Sequence, residues 1–426
     1  MRSRSAAACV VVALFLASSS PLAQRSANRW VGTWATAVVA APPQPTGQPS
    51  PLQVALRFNN QTLRQIVHTS LGGDRARVVL TNAYGTRPLA IGGARVALRD
   101  RGAAIVAGTA RPLTFSGATA ATIPPGAVLV SDPVDLAVPP LGDVAIDLFL
   151  PEDTGASSSP LTIHTASRQT SYLSSTGNHL GAADLPGASP MTSWAFLARL
   201  EVSAPEGAGA LVALGDSITD GFASTADTNN RWPDHLARRL QAAGRRLAVL
   251  NLGIDGNRVL ADGAGVSALA RFDREVAAQS GVTHVFVLEG INDLGIHALF
   301  KDGPPPTVDQ LIAGHRQLVA RAHARGLQIV VSTLLPYEGT TFPGYFTPEG
   351  ETSRQAFNHW VRTTKEHDGF VDLDTVIRDP ANPTRMLPKY DSGDHLHPSD
   401  AGYEAMAKAI DLALLREEAL VGAAAR

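Results

Sequence analysis

Ser217, Gly256, Asn292, Asp394 and His397 are residues whose types, taken together, could carry out one reaction. Ser217 ends Gly215-Asp216-Ser217, directly after the apolar run Leu211-Val212-Ala213-Leu214. A buried parallel strand that stops in a small-residue turn presents its last side chains at the carboxyl edge of a sheet, where open α/β folds place ligands. A serine there has its hydroxyl exposed, as a nucleophile requires, although serine also caps turns and helices. A nucleophilic serine needs donors aimed at the developing oxyanion, and a base oriented by a carboxylate. A glycine amide and an asparagine side-chain amide are suitable donors. Gly256 lies in Asn251-Leu252-Gly253-Ile254-Asp255-Gly256-Asn257, and Asn292 in Gly290-Ile291-Asn292-Asp293. Asp394 and His397 stand three apart in Asp394-His395-Leu396-His397-Pro398 and can supply the carboxylate and base locally. Singly, each also reads as a turn glycine, a helix cap or a loop residue. It is their order along the chain that points to chemistry.

That order depends on the elements between them. After 204–209, which reads as a linker, strand-like runs alternate with helical periodicity. The strand candidates are 211–214, 247–252, 284–289, 328–335 and 370–373. Pro233 suits a first helical turn, with Leu236, Leu240 and Ala243 on one face. Leu311, His315, Leu318, Val319 and Ala322 repeat the spacing, which makes His315 a core or boundary residue, and Gly326 ends that helix. A last helix begins near Asp400, with Tyr403, Met406, Ile410 and Leu414 inward. Such alternation implies a parallel sheet covered on both faces. A strand order of 2-1-3-4-5 would set the loops bearing Gly256 and Asn292 on either side of Ser217.

The first half has a different grammar. Runs at 62–70, 76–82, 90–98, 144–150, 161–172 and 193–202 alternate with Gly, Pro, Asn and Asp, and no helix is convincing. In the last run Trp194, Phe196, Ala198, Leu200 and Val202 share one face, opposite Ser193, Arg199 and Glu201, as in a half-buried strand. An antiparallel, jelly-roll-like β-sandwich is the economical reading. The Pro-, Gly- and Gln-rich stretch 42–51 reads as a loop. His164 reads as a satisfied structural histidine, and Trp30 and Trp34 as packing residues rather than a sugar platform. The half is either a binding module or a wall beside the active site.

The net charge of −2 gives no electrostatic reason to expect nucleic acid or an anionic membrane as a partner. At 44% hydrophobic and 17% charged residues, there is ample material for a core, and 426 residues suggest two domains. Arg2 and Arg4 precede an apolar run from Ala6 to Ala17, followed by small residues to Ala23, which reads as a secretory signal over 1–23. Cys9 lies inside it, so the mature protein would have neither thiol nor disulfide. No cofactor and no metal is expected, and the product would be secreted or periplasmic.

From Leu211 to Leu415 the chain resembles the SGNH, or GDSL-type, hydrolase superfamily. The resemblance rests on Gly215-Asp216-Ser217, on Gly256, on Gly290-Ile291-Asn292-Asp293 and on Asp394-His395-Leu396-His397-Pro398. It implies a flavodoxin-like three-layer α/β domain over residues 210–420, preceded by the sandwich over 29–204. It also implies Ser217 as nucleophile, His397 as general base and then acid, and Asp394 as its orienting carboxylate. The oxyanion hole would combine the amides of Ser217 and Gly256 with the Asn292 side chain. Gly253 is a second glycine in that block, but the family pattern favours Gly256. His395 has no carboxylate three residues before it. Arg29-Trp30-Val31-Gly32-Thr33-Trp34-Ala35 and Phe58-Asn59-Asn60-Gln61-Thr62-Leu63-Arg64 resemble the N-terminal part of secreted bacterial esterases similar to acetylxylan esterases.

The expected function is therefore a secreted serine esterase that hydrolyses short acyl esters, acetyl esters of carbohydrate first among them. A broad arylesterase or lipase-like hydrolase is the alternative within enzymes. A carbohydrate-binding surface protein with a vestigial hydrolase fold is the alternative outside them. The stretch 336–353 should lie on the catalytic side of the sheet, with Phe342, Tyr345 and Phe346 either lining the alcohol side of the cleft or sealing an interface with the sandwich.

Overall fold

The computed structural model describes residues 29–41, 57–155, 159–297 and 303–415. The expected signal, Cys9, the stretch 42–51 and the residues past 415 lie outside them. Among the described residues the first half contains strands and no helix. Two antiparallel sheets dominate it. One runs Arg29–Ala35, Leu197–Ala204, Gly73–Thr81, Val134–Val138, with Val128–Val130 also on Gly73–Thr81. The other runs Ser189–Met191, Ser171–Thr176, Gln61–His68, Asp143–Leu150, Gly93–Leu98, Arg111–Leu113. Ala76, Val78, Leu80, Leu200 and Val202 from the first share a core with Leu63, Val67, Val144, Ile146 and Leu148 from the second.

Three expected strands are broken, the run 90–98 at Gly92 into Leu89–Ile91, paired with Ala121–Ile123, and Gly93–Leu98, paired with Asp143–Leu150. The run 193–202 splits at Phe196, whose φ is +59°, into Trp194–Ala195 and Leu197–Ala204. Beyond the break Glu201, expected on the solvent side, is fully buried, because the second half of the chain covers that face. Its carboxylate is satisfied by Arg77, Arg199 and, from across the domain boundary, the Ser280 hydroxyl at 2.7 Å. The run 161–172 splits into Thr162–His164 and Ser171–Thr176. The interruption, residues 165–170, turns through positive φ at Ala166 and Arg168.

The second half is the parallel sheet, in the order Leu247–Gly253, Gly209–Gly215, Val282–Leu288, Gln328–Ser332, Gly369–Val371. This is the 2-1-3-4-5 order. The crossover from first to second strand moves one way and the later ones the other, so right-handed connections place helices on opposite faces. Trp232–Ala242 pairs with Asp400–Ala409 beside Leu247–Gly253, and Val308–His323 pairs with Pro348–Thr363 near Gln328–Ser332. Leu211 to Leu214 are fully buried, which is why that strand reads as an unbroken apolar run. The last helix ends at Ala409, one residue short of Ile410, and Leu414 falls in a separate short turn. His315 is buried on its helix with Nε2 3.2 Å from the Glu289 carbonyl, and burial lowers its pKa to about 4, so it is neutral packing material.

The segment expected as a linker is only a turn between Ala204 and Gly209, and the two cores are one continuous cluster. Gly32 of the sandwich backs onto the Leu250 side chain and donates its N–H to the Ser280 carbonyl at 2.9 Å. The Ser70 hydroxyl accepts from Val249 N–H at 3.0 Å.

Candidate active site

The four-residue helix Ser217–Asp220 begins where the strand Gly209–Gly215 stops, with Asp216 as its cap, accepting from Ile218 N–H at 2.9 Å. Burial, with the Asp293 charge adding to it, raises the pKa of Asp216 to about 7. Ser217 Oγ lies 2.9 Å from His397 Nε2, and His397 Nδ1 lies 2.6 Å from Asp394 Oδ2. The backbone N–H groups of His397 and Leu396 donate to the other Asp394 oxygen at 2.8 and 2.9 Å. Partial burial works against its charge. The His397 ring beside it and these amides prevail, holding the carboxyl well below the usual carboxylate range. The carboxylate therefore stays ionised, and the ring Nδ1 donates to it, leaving Nε2 to face the serine.

On the other side of Ser217, the loop after Leu247–Gly253 turns back through Gly256, at φ +75°. Gly253 serves a different need: a Cβ there would lie 2.1 Å from the Asp220 backbone nitrogen. The two glycines of the block are thus distinguished, one by close packing and one by a left-handed turn. Asn292 is buried in the helix Ile291–Gly295. Its Nδ2 donates one hydrogen to the Asn257 carbonyl at 2.9 Å, and its Oδ1 accepts from the Tyr345 phenol at 2.7 Å. Both bonds fix the amide plane, and the second Nδ2 hydrogen remains to be used.

The aromatic segment differs from expectation at Tyr345. Its ring is buried beside Gly295 and its hydroxyl is committed to Asn292, so it offers no face to a substrate. Phe346 is half-buried and packs edge-on against Tyr337 at 5.1 Å. Phe342, also half-buried, stands edge-on to His397 at 6.2 Å. The end of the segment, from Pro348, belongs to the helix Pro348–Thr363.

His395, two residues before His397, has φ +60° and is turned to Asp391, 2.5 Å from its Nδ1. It lines a separate hollow of about 530 Å³ with Glu338, Asp379 and Arg385.

Several residues that shape the site were not singled out from the sequence. Arg271, fully buried, donates to the carbonyls of Leu252 and Gly215 at 2.7 and 3.0 Å and to Asn257 Oδ1 at 3.0 Å. It thereby ties together the ends of the two strands that carry Ser217 and the Gly256 loop. Its signal was an arginine inside the apolar run Ala268 to Phe272. Phe222 stacks on the His397 ring at 4.2 Å, and Tyr403 holds it there by donating to its carbonyl at 2.6 Å. Asp293 accepts from Val259 and Leu260 N–H at 2.8 and 3.0 Å, and burial raises its pKa to about 6. Among the described residues no group of three or more His, Cys, Asp or Glu is arranged to hold a metal ion.

Residues 213–405 match the GDSL-like lipase/acylhydrolase family. The chain carries a GDSL-like lipase/acylhydrolase domain. As such it is a hydrolase of the carboxylic-ester type. No curated protein matches the sequence. Among solved structures, the GDSL-type domain is similar to a putative lipolytic protein of the G-D-S-L family from Desulfitobacterium hafniense. The two are 23% identical, with 47% of this chain and 95% of that one covered and a TM-score of 0.35. A carbohydrate acetylesterase family member from Sinorhizobium meliloti is 19% identical over 50% of this chain and 99% of its own, with a TM-score of 0.39. An aryl esterase of M. smegmatis is 18% identical over 47% and 96%, with a TM-score of 0.38. No helix among the described residues is long and apolar enough to cross a membrane.

Proposed function

We propose that the protein is an exported serine esterase that removes short acyl groups, acetyl above all, from carbohydrate through an acyl-enzyme. The reading is carried by the relay of Ser217 Oγ 2.9 Å from His397 Nε2 and His397 Nδ1 2.6 Å from Asp394. His397 Nε2 takes the Ser217 proton as Oγ attacks the ester carbonyl. The carbonyl oxygen becomes an oxyanion that receives the amides of Ser217 and Gly256 and the spare Nδ2 hydrogen of Asn292. His397 then gives its proton to the departing alcohol, and the acyl group remains on Ser217. Water, losing its proton to the same nitrogen, attacks the acyl carbonyl; the bond to Ser217 Oγ breaks, His397 returns the proton to that oxygen, and the free acid leaves.

Phe342, partly exposed beside His397, offers an aromatic face to the leaving group. A sugar or an aryl alcohol would fit such a face, which keeps an arylesterase as the second reading. The basic and apolar residues of 1–23 support export, where acetylated glycans are met. Acetate release from acetylated xylan and acetylated oligosaccharides, set against a small aryl acetate, tests the assignment. Turnover of glycan esters at least comparable to the aryl ester supports it. Hydrolysis of the aryl ester alone would give the arylesterase reading, and no hydrolysis of either would leave a binding protein with an idle site.

A further inference from the structure

The loop that breaks the sandwich at residues 165–170 reaches the active site. Both Ala166 and Arg168 hold a left-handed backbone, uncommon for residues with a Cβ and concentrated at functional sites. The loop is pinned from both domains: Ser167 N–H donates to the Thr192 carbonyl at 2.8 Å, and Asp227 N–H to the Arg168 carbonyl at 3.0 Å. Asp227 in turn accepts from Thr170 through both the backbone N–H and the hydroxyl at 2.6 Å.

The Arg168 guanidinium lies 4.6 Å from the centre of the Phe222 ring, the ring stacked on His397. It also lies 3.4 Å from Asp255 Oδ2. Asp255 immediately precedes Gly256. Asp220 Oδ1 is 3.1 Å from His164 Nε2, and His164 Nδ1 is 2.9 Å from the Ala37 carbonyl. His164, Asp220, Ala37 and His397 are buried, and Phe222, Arg168 and Asp255 are half-buried.

A carbonyl only accepts, so His164 Nδ1 carries a hydrogen, and Nε2 faces the Asp220 carboxyl. Burial works against a charge on this ring, but Asp220 raises the pKa of His164 despite it. Burial and the charge of Asp220 push the Asp255 carboxyl well above its ordinary range, with Arg168 only partly opposing them. The contact from His164 thus ends on Asp220, the last residue of the helix Ser217–Asp220, and the contact from Arg168 ends on Asp255, beside Gly256.

We propose that His164 and Arg168 of the β-sandwich are positioning residues for the esterase reaction: His164 holds Asp220 at the end of the helix that Ser217 opens, and Arg168 holds Asp255 beside Gly256 and presses Phe222 onto His397. The inference rests on the serine-esterase reading. It makes the sandwich part of the catalytic apparatus rather than an attached binding module.

The test compares Asp255→Asn with Asp255→Ala, alongside Ser217 labelling by an aryl phosphonate. An asparagine oxygen can accept from Arg168 as the carboxyl oxygen does, so Asp255→Asn should keep kcat within about threefold of the parent. Asp255→Ala should lower kcat by roughly ten- to a hundredfold with KM nearly unchanged, the scale for misplaced but intact catalytic groups. Equal loss in both variants, or no loss in the alanine, overturns the inference while labelling of Ser217 in the parent leaves the esterase reading standing. A parent enzyme that is not labelled at Ser217 overturns the esterase reading itself. If Asp255→Ala does not fold, Arg168→Ala decides, since that side chain is 22% exposed. A fall in kcat of about tenfold at unchanged melting temperature supports the inference, and an unchanged kcat overturns it.

Discussion

The Tyr345 hydroxyl donates to Asn292 Oδ1 at 2.7 Å, and this bond decides which way the Asn292 amide faces. With Oδ1 occupied and one Nδ2 hydrogen on the Asn257 carbonyl, only one hydrogen is left for an oxyanion. Tyr345→Phe should therefore lower kcat about tenfold with little change in KM, because orientation rather than a donor is lost. Asn292→Ala removes the donor itself and should cost roughly a hundred- to a thousandfold in kcat. Steady-state kinetics on an acetyl ester check both. A defect in KM alone for either variant would place the pair in substrate binding.

Ser217→Ala should reduce turnover by about a millionfold, the scale for loss of a serine nucleophile, and His397→Ala by a similar factor. Asp394→Asn should cost up to roughly ten-thousandfold. His395→Ala should be mild, since that ring is held by Asp391 and not by Ser217. Rates for the two histidine variants side by side provide the check. A larger loss at His395 would mean the wrong base has been chosen.

Phe342→Ala should alter the ratio of activity on acetylated glycan to activity on a small aryl acetate while leaving the melting temperature nearly unchanged. The ring is only half-buried and stands beside His397. Tyr345→Ala, by contrast, removes a fully packed ring and should lower the melting temperature by several degrees. A stable Tyr345→Ala with altered preference would reverse these roles.

Stability should fall as pH rises from about 4 to about 7. Unfolded carboxyls titrate near 4. In the folded protein burial raises Asp293 to about 6 and Asp216 to about 7, and burial with the Asp216 charge lifts Glu289 as well. The folded state then holds more protons than the unfolded one across that window, so its advantage is complete below pH 4 and lost as these groups ionise. Asp394, held down, acts in the opposite sense and only at the acid end. Asp216→Asn keeps an oxygen for Ile218 N–H but has no proton to lose. Melting curves should show a smaller difference between pH 5 and pH 8 in this variant than in the parent, and an equal difference would show that Asp216 does not titrate in the window.

The sequence made the parallel sheet legible because its strands are short apolar runs, four of the five closed within two residues by Gly or Asp, and the chain order of those runs matches their order of crossover. Ser217, Asp394 and His397 were legible for a related reason. Two of them lie three residues apart, and the third ends a strand, so local spacing nearly places them. Tyr345 was misjudged because an aromatic ring near glycines looks the same whether it faces solvent or a buried amide 53 positions away. His164 read correctly as a satisfied histidine, but its partner Asp220 lies 56 residues on, in another domain. Arg168 was hidden more deeply, since alternation continued across a stretch that the chain leaves by two left-handed residues. Glu201 shows the same limit, because period-two patterning names a face and not what will cover it.

The turn at 204–209 has a consequence for how the molecule comes apart. Gly32 and Ser70 of the sandwich are bonded to Ser280 and Val249 of the sheet beside it, and Val31, Trp34 and Leu250 belong to one buried cluster. Separating the halves would strip Leu250 of its cover and leave Glu201 without the Ser280 hydroxyl. Calorimetry should accordingly record one cooperative transition whose calorimetric and van't Hoff enthalpies agree, and the catalytic half expressed without residues 29–204 should expose apolar surface and aggregate. Two peaks would show that the sandwich and the sheet melt independently. The folding unit is then the sandwich and the sheet together, even though the family match covers only 213–405.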